Sequence, residues 1–483
     1  MTILSLIFQK FILFYFIALT VGYIMLDILA LIYTTRYLRR HRVDYELPKY
    51  FSGYEPSVSI LVPAFNEEKT VVATTHALLQ LLYPSFEIII INDGSTDSTL
   101  DVLKKEFDLN LSPEIYEERL ETNPVNAIYH STFYRRLRVI DKEKGGKGDA
   151  LNAGLNLSRS TLVASIDSDS VLSRESLLRV VRPFVDDPTT IAGGGQVRIL
   201  NGCELKTGHV VESKLPRNMW ALIQVVEYLR AFLFGRLGWS PLNALLLISG
   251  AFGVFNREIL VEAGGYRTDT VGEDMELVLR LHKLMRTKKR KYRISFVPDP
   301  ICWTEAPEGY RALASQRVRW QRGLGESIGG NISLLFNFRG GTVGWLAMPF
   351  NILFELFGPL LEVGGVIFII LAYFLNFLSL KALVVFLLVA FGSGLLLSIN
   401  AILMEELTFH VYKDMGSIFV LLASAFMETP LYRLLNSLWR IKGLMLWMFG
   451  RKRTWGRTDR KGTKRPAAPQ PLPQESAPVA AQS

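Results

Sequence analysis

The chain has 483 residues, 49% of them hydrophobic, with a mean hydropathy of +0.23 and a formal net charge of +9. That length suits two or three domains, and so apolar a composition is rich for a soluble protein. Two cysteines far apart in sequence, Cys203 and Cys302, exclude a disulfide framework and a cysteine-built zinc site, and both read as packing residues.

The first element, Phe11 to Tyr33, is a run of 23 residues whose only charge is Asp27, long enough to cross the ~30 Å hydrocarbon core as a helix. Arg36, Arg39, Arg40 and Arg42 follow where a cleavage site would need small residues, so the run reads as a retained anchor rather than a signal peptide. Four arginines after the span against Lys10 before it place the next domain in the cytoplasm. Eight basic residues between Arg451 and Arg465, against Asp459 alone, place the far end on the same side. The positive charge is thereby assigned to membrane orientation and anionic headgroups, and no nucleic-acid motif supports a nucleic-acid partner.

Residues 56–300 alternate short apolar strands with helices, the pattern of an α/β domain with a mainly parallel sheet. Val58 to Val62, Ile88 to Ile91, Val139 to Ile140 and Leu162 to Ile166 are its strands, and about 109–136 is an insertion that reads as a surface excursion. Chemistry in such sheets gathers at the carboxyl ends of strands. Asp93 follows Ile91 there, and Asp167-Ser168-Asp169 follows Ile166. Adjacent carboxylates at a strand end can share a hard cation, Mg²⁺ or Mn²⁺, with water and substrate phosphates completing the shell. Solvated loop acids give the same pattern.

Gly272-Glu273-Asp274 opens a helix with acids in its first turn. Dipole stabilisation accounts for Glu273 and Glu276, whereas Asp274 also suits a general base that takes a proton from an attacking hydroxyl. Farther on, Gln316-Arg317-Val318-Arg319-Trp320 offers a guanidinium fork for a diphosphate and an indole face for a sugar ring. An amphipathic membrane-surface helix would use Arg311, Arg317 and Arg322 equally well.

After residue 343, 345–376 and 382–404 are long enough to span, with Glu355 and Glu362 expected to face the protein interior or a polar cavity. A shorter candidate, 416–432, is interrupted by Glu428 and Pro430, and 433–450 suits an interfacial helix. The tail beyond Arg465, rich in Pro, Ala, Gln and Ser, is expected to be disordered. The expected division is an anchor at 1–45, a catalytic domain at 54–305, an interfacial segment at 306–343, membrane and interfacial helices at 344–450, and a basic, then disordered, tail at 451–483.

In order and spacing these motifs resemble the membrane-integrated processive branch of glycosyltransferase family 2, which includes cellulose, chitin, hyaluronan and poly-N-acetylglucosamine synthases. The resemblance runs from about Pro56 to Trp320 with the flanking spans. It implies a GT-A-like α/β domain joined to an α-helical transmembrane region, multi-pass in the plasma membrane, with the catalytic domain cytoplasmic. Pro63, Ala64 and Glu67 would lie near the nucleoside, Asp93 on the uracil or ribose, and Lys147 near the nucleotide with Asp167 and Ser168. Asp169, with Asp167, would hold the metal, and Asp274, grouped with Glu273, would be the base. Gln316, Arg319 and Trp320 would close over the diphosphate and acceptor, with Gly250 and Phe252 in the acceptor-site segment.

The expected reaction is an inverting, metal-dependent transfer from a nucleotide-sugar, UDP-N-acetylglucosamine or UDP-glucose, to a growing β-linked polysaccharide, coupled to its translocation. The bilayer is a partner, and an accessory membrane subunit is compatible with this organisation. Two other readings stand beside it: transfer of a single sugar to a polyprenyl or other lipid acceptor, and a non-catalytic nucleotide-binding regulator of a membrane partner.

Overall fold

A computed structural model describes residues 3–42, 55–112, 114–375 and 377–450. The basic cluster at 451–465, the tail expected to be disordered, and the boundary between anchor and catalytic domain near residues 45–54 lie outside the described residues.

The strands are β1 (Val58–Ala64), β2 (Phe86–Asp93), β3 (Leu109–Leu111), β4 (Val125–Ser131), β5 (Leu137–Lys142), β6 (Leu162–Ile166), β7 (Val171–Leu172), β8 (Thr190–Ile199), β9 (Glu204–Lys206), β10 (His209–Glu212), β11 (Phe252–Asn256) and β12 (Arg293–Thr304). All but β9 and β10 form one sheet of order β3-β4-β5-β2-β1-β6-β11-β8-β12-β7. Its parallel heart, β5-β2-β1-β6, is written in unbroken apolar runs such as Ile88 to Ile91, each fully buried because helices cover both faces. The antiparallel strand β11 joins that heart to the pair β8 and β12, which run parallel to each other.

The expected surface excursion at 109–136 is partly sheet, since β3 and β4 add two antiparallel strands at the edge. It is tied down by charge, because Glu114 accepts from Arg138 Nη1 at 2.9 Å and also pairs with Arg159 and His130.

Outside the sheet, Gln9–Arg39 and Leu380–Thr408 are long and apolar enough to cross a membrane. The expected span 345–376 is instead a pair of helices, Val343–Leu356 and Gly358–Phe374, bent by 44°. The candidate at 416–432 and the helix expected at 433–450 form a second pair, Met415–Pro430 and Arg433–Met448, bent by 53°. The expectation that 433–450 presents its basic residues to headgroups is not met for two of them. Arg433 pairs with Glu362 at 2.6 Å and Arg440 with Glu355 at 2.7 Å, so each meets a carboxylate that lipid would penalise. Further pairs join the sheet domain to the apolar helices: Arg198 of β8, buried, with Glu405 at 2.8 Å, and Arg230, half-buried, with the buried Glu428 at 2.7 Å.

Candidate active site

One side of the candidate site is built where β1, β2 and β5 end. Asn66, with φ +57°, donates from its backbone N–H to Ser95 Oγ at 3.0 Å and accepts from the Thr96 N–H at 2.8 Å, which links the turn after β1 to the turn after β2. The Glu67 N–H donates to Thr99 Oγ1 at 2.9 Å, and Glu67 Oε2 accepts from Thr70 Oγ1 at 2.5 Å. Pro63 and Ala64 form the end of β1 below this turn. Phe65 projects 38% exposed, with Lys144 Nζ 3.8 Å from its ring centre.

Asp93 is buried, and its carboxylate holds the next loop. It accepts from the Gly145 and Gly146 N–H groups at 2.8 Å each and from Lys142 Nζ at 3.2 Å. Lys142, fully buried, also pairs with Asp149. Sequence reasoning did not single out Lys142. The available signal was a lysine ending an apolar strand beside a glycine pair, where a buried cation needs a carboxylate. The loop held by Asp93 leads into the helix Lys147–Leu157 and sets the position of Lys147.

Lys147 brings the two halves of the site together. Its Nζ lies 2.6 Å from Asp167 Oδ1, at the end of β6, and 3.4 Å from Glu273 Oε1, at the start of the helix Glu273–Thr287. Burial alone would lower its pKa, but the Asp167 and Glu273 charges outweigh it and hold the ammonium well above the usual lysine range. Burial pushes Glu273 upward, with Lys147 opposing. Ser168 and Asp169 are buried beside Asp167, and Ser168 accepts at its carbonyl from Thr74 Oγ1 at 2.8 Å.

Asp274 faces the same cavity, which is also lined by Lys147, Ser249, Gly250, Tyr266 and Glu273. The Gly250 N–H donates to Asp274 Oδ2 at 3.3 Å, and a Cβ on Gly250 would lie 2.8 Å from Lys147 Nζ, so a larger residue there would displace the ammonium. Ile248, two residues earlier, is seated in a notch: a Cβ on Gly194 of β8 would lie 3.1 Å from its Cγ2, and one on Gly253 of β11 2.7 Å from the same atom. Phe252, fully buried, continues this segment into β11 and forms part of the core.

The helix Tyr310–Gly330 braces Asp274 from the other side. Gly272 and Gly323 touch backbone to backbone, a Cβ on the first lying 2.8 Å from Cα of the second. Glu326 Oε2 accepts from the Val271 N–H and from Thr270 Oγ1, both at 2.9 Å, and Ser327 Oγ donates to the Gly272 carbonyl at 3.2 Å.

The same helix carries Gln316, Arg319 and Trp320. Trp320 packs on Phe232 with ring centres 5.5 Å apart, and the Gln316 Oε1 atom is enclosed with no hydrogen-bond partner among the described residues. Arg317, which could have served a membrane surface, is 2% exposed. It pairs with Glu227 at 2.5 Å, donates to Tyr432 Oη at 3.1 Å and lies 4.3 Å from the Trp320 ring centre. Both faces of this helix are covered, one by the helix Glu273–Thr287 and the other by Arg433–Met448, where a Cβ on Gly443 would meet the Val318 carbonyl at 2.5 Å. Glu227 and Tyr432 lay outside any motif.

Asp167 and Asp169 fit a divalent cation of the kind that takes one or two carboxylates and completes its shell with water and phosphate. No group of three or more metal-ligating side chains occurs among the described residues, so a cage made by the protein alone is not available there.

Lys147, half-buried, joins the strand-end carboxylate of Asp167 to a cavity that Glu273 and Asp274 line from the start of their helix. Residues 59–221 match the family model described as Glycosyl transferase family 2, and residues 162–397 match Glycosyl transferase family group 2. The chain belongs to glycosyltransferase family 2, and its fold is the expected GT-A-like α/β domain with a helical membrane region.

It is 29% identical over 266 residues to a poly-beta-1,6-N-acetyl-D-glucosamine synthase of Staphylococcus epidermidis, covering 55% of this chain and 54% of that one. It is 30% identical over 268 residues to the protein of the same description from Staphylococcus aureus, again covering 55% and 54%. The chain thus spans about half the length of the curated relatives it matches. Among solved structures, a mannosyltransferase from Pyrobaculum calidifontis in complex with GDP-Man and Mn²⁺ is similar at 16% identity and a TM-score of 0.49, covering 91% of this chain and all of that one.

Proposed function

We propose that this protein transfers a sugar from a nucleotide-sugar, N-acetylglucosamine from its UDP donor being the favoured case, to a growing β-linked polysaccharide at the cytoplasmic face of the plasma membrane. The observation that carries the reading is the convergence of Asp274, Glu273, Lys147 and Asp167 around Gly250. The resemblance of the sequence to poly-N-acetylglucosamine synthases supports the choice of sugar.

In this reading Asp274 takes the proton of an acceptor hydroxyl, whose oxygen attacks the anomeric carbon from the side opposite the diphosphate. The new C–O bond forms as the bond to the phosphate oxygen breaks, and the configuration inverts. Lys147 and Arg319 meet the charge that grows on the departing diphosphate, a preorganised electrostatic contribution. Asp167 and Asp169 would hold Mg²⁺ or Mn²⁺, which supplies Lewis-acid neutralisation of that diphosphate when bound. Asp93 acts at one remove, by fixing the loop that sets Lys147, and Trp320 offers its indole to the acceptor sugar.

The ion pairs among the apolar helices support a route for the product through the membrane part, since Glu405 and Glu428 are buried and Glu355 and Glu362 each meet an arginine. An even number of crossings after residue 343, which basic ends on one side require, follows if one of the two bent pairs turns back instead of spanning.

The test is product analysis with the protein in lipid, given Mg²⁺ or Mn²⁺ and each of UDP-glucose, UDP-N-acetylglucosamine and UDP-glucuronate. UDP release from UDP-N-acetylglucosamine with a long polymer is expected. A lipid-linked monosaccharide alone would replace this reading with single-sugar transfer, and nucleotide binding with no release from any donor would replace it with a regulatory role.

A further inference from the structure

Four arginines are buried among the described residues: Arg138, Arg198, Arg236 and Arg317. Three of them have a carboxylate, Arg138 with Glu114 at 2.9 Å, Arg198 with Glu405 at 2.8 Å and Arg317 with Glu227 at 2.5 Å. Arg236 does not. It is 7% exposed, no carboxylate forms an ion pair with it among the described residues, and its Nη1 has no hydrogen-bond partner there. A guanidinium removed from water without a counter-charge is costly, and proteins rarely leave one so unless a ligand completes it.

Its position says which ligand. Arg236 follows the π-helical segment Tyr228–Phe234, whose wider turn is a frequent mark of functional sites. The guanidinium carbon lies 4.4 Å from the Phe232 ring centre, and Phe232 packs on Trp320 at 5.5 Å. Arg236 therefore stacks on Phe232, which in turn packs against Trp320 of the helix that carries Gln316 and Arg319. The cation–π contact offsets only part of its desolvation. Burial lowers its pKa to about 10, and the negative charge opposing that shift most is Asp274. It remains a cation at neutral pH.

We propose that Arg236 is a substrate-binding residue of the transfer site, whose unpartnered Nη1 donates to an oxygen of the nucleotide-sugar diphosphate. This rests on the reading of the site as a nucleotide-sugar transferase. A neutral acceptor sugar brings no charge to balance Arg236; the donor brings two phosphates.

The experiment measures UDP and uridine binding, with Mg²⁺ present, and thermal unfolding with and without UDP, for the full-length protein and Arg236→Met in lipid nanodiscs. UDP should bind the variant at least about tenfold more weakly, the loss of a charge-assisted hydrogen bond, while uridine binding stays unchanged. Without nucleotide the variant should unfold at the same or a higher temperature, since an apolar side chain of similar length replaces an uncompensated charge. Arg236→Lys should restore part of the UDP affinity. UDP affinity within twofold of the parent, or a variant that unfolds earlier and loses uridine and UDP binding alike, would overturn the proposal and make Arg236 a structural residue. A parent protein that binds no nucleoside diphosphate would overturn the transferase reading and this proposal together.

Discussion

The proposed donor side and the membrane-facing side of this site are built by different means. Around β1, β2 and β5 each charge is settled close by. Asp93 meets two backbone N–H groups and Lys142 some fifty residues away, and the turn after β1 is held by the turn after β2. Around the helix Tyr310–Gly330, and where β8 meets the apolar helices, the partners come from distant parts of the chain: Arg317 reaches Glu227 across 90 residues and Tyr432 across 115, and Arg198 reaches Glu405 across 207. The first design gives a rigid cradle from local loops. The second makes Asp274, the proposed base, and the helix Tyr310–Gly330 depend on how the apolar helices dock.

Four substitutions would break or sharpen that contrast. Asp274→Asn removes the proposed base at the junction of the two sides, and should lower transfer by about 10² to 10⁴ while leaving UDP affinity nearly unchanged, as read by UDP release beside equilibrium binding. Next, Arg198→Met strands Glu405 inside the protein and should cost about 3–5 kcal/mol in unfolding experiments, whereas the double change Arg198→Met with Glu405→Leu should recover most of it. A double change no better than the single one would mean that docking does not rest on charge. Lys147→Met, on the donor side, should lower kcat by about 10² by removing a positioned cation beside Asp167, with unfolding temperature less affected than in Arg198→Met because Asp167 is partly exposed. Smallest is Gly272→Ala, which drives a methyl group against Gly323 and should lower kcat about tenfold with UDP binding within twofold. Equal losses in binding and turnover there would argue that the two sides are not separate.

The same division decides what the sequence made legible. Strand-end carboxylates are readable because an apolar run that stops at an acid places that acid at the carboxyl end of a strand, as with Ile166 before Asp167 and Ile91 shortly before Asp93. The helix start at Glu273 is readable from its acidic first turn. The brace behind it is not. Periodicity shows that a helix has a covered face, but not which segment covers it. Arg317 illustrates this, since a basic aromatic helix looks alike whether its arginine meets headgroups or a glutamate ninety residues earlier. The bent pairs escaped for a similar reason: hydropathy reports apolar length, whereas the bends fall at Phe357 and near Pro430, where helix geometry breaks. Arg236 had no motif, and only its burial without a counter-charge sets it apart.

The seating of Ile248 between Gly194 and Gly253 has a consequence in entropy. The segment that presents the Gly250 N–H to Asp274 is ordered when the protein folds, by one side chain keyed into two strands. Fixing the backbone of each residue otherwise costs about 1–2 kcal/mol, a loss that a mobile loop would incur again at every catalytic cycle. Here it is incurred once in the lifetime of the molecule. A segment so prepared draws on no substrate-binding energy to arrange its own backbone.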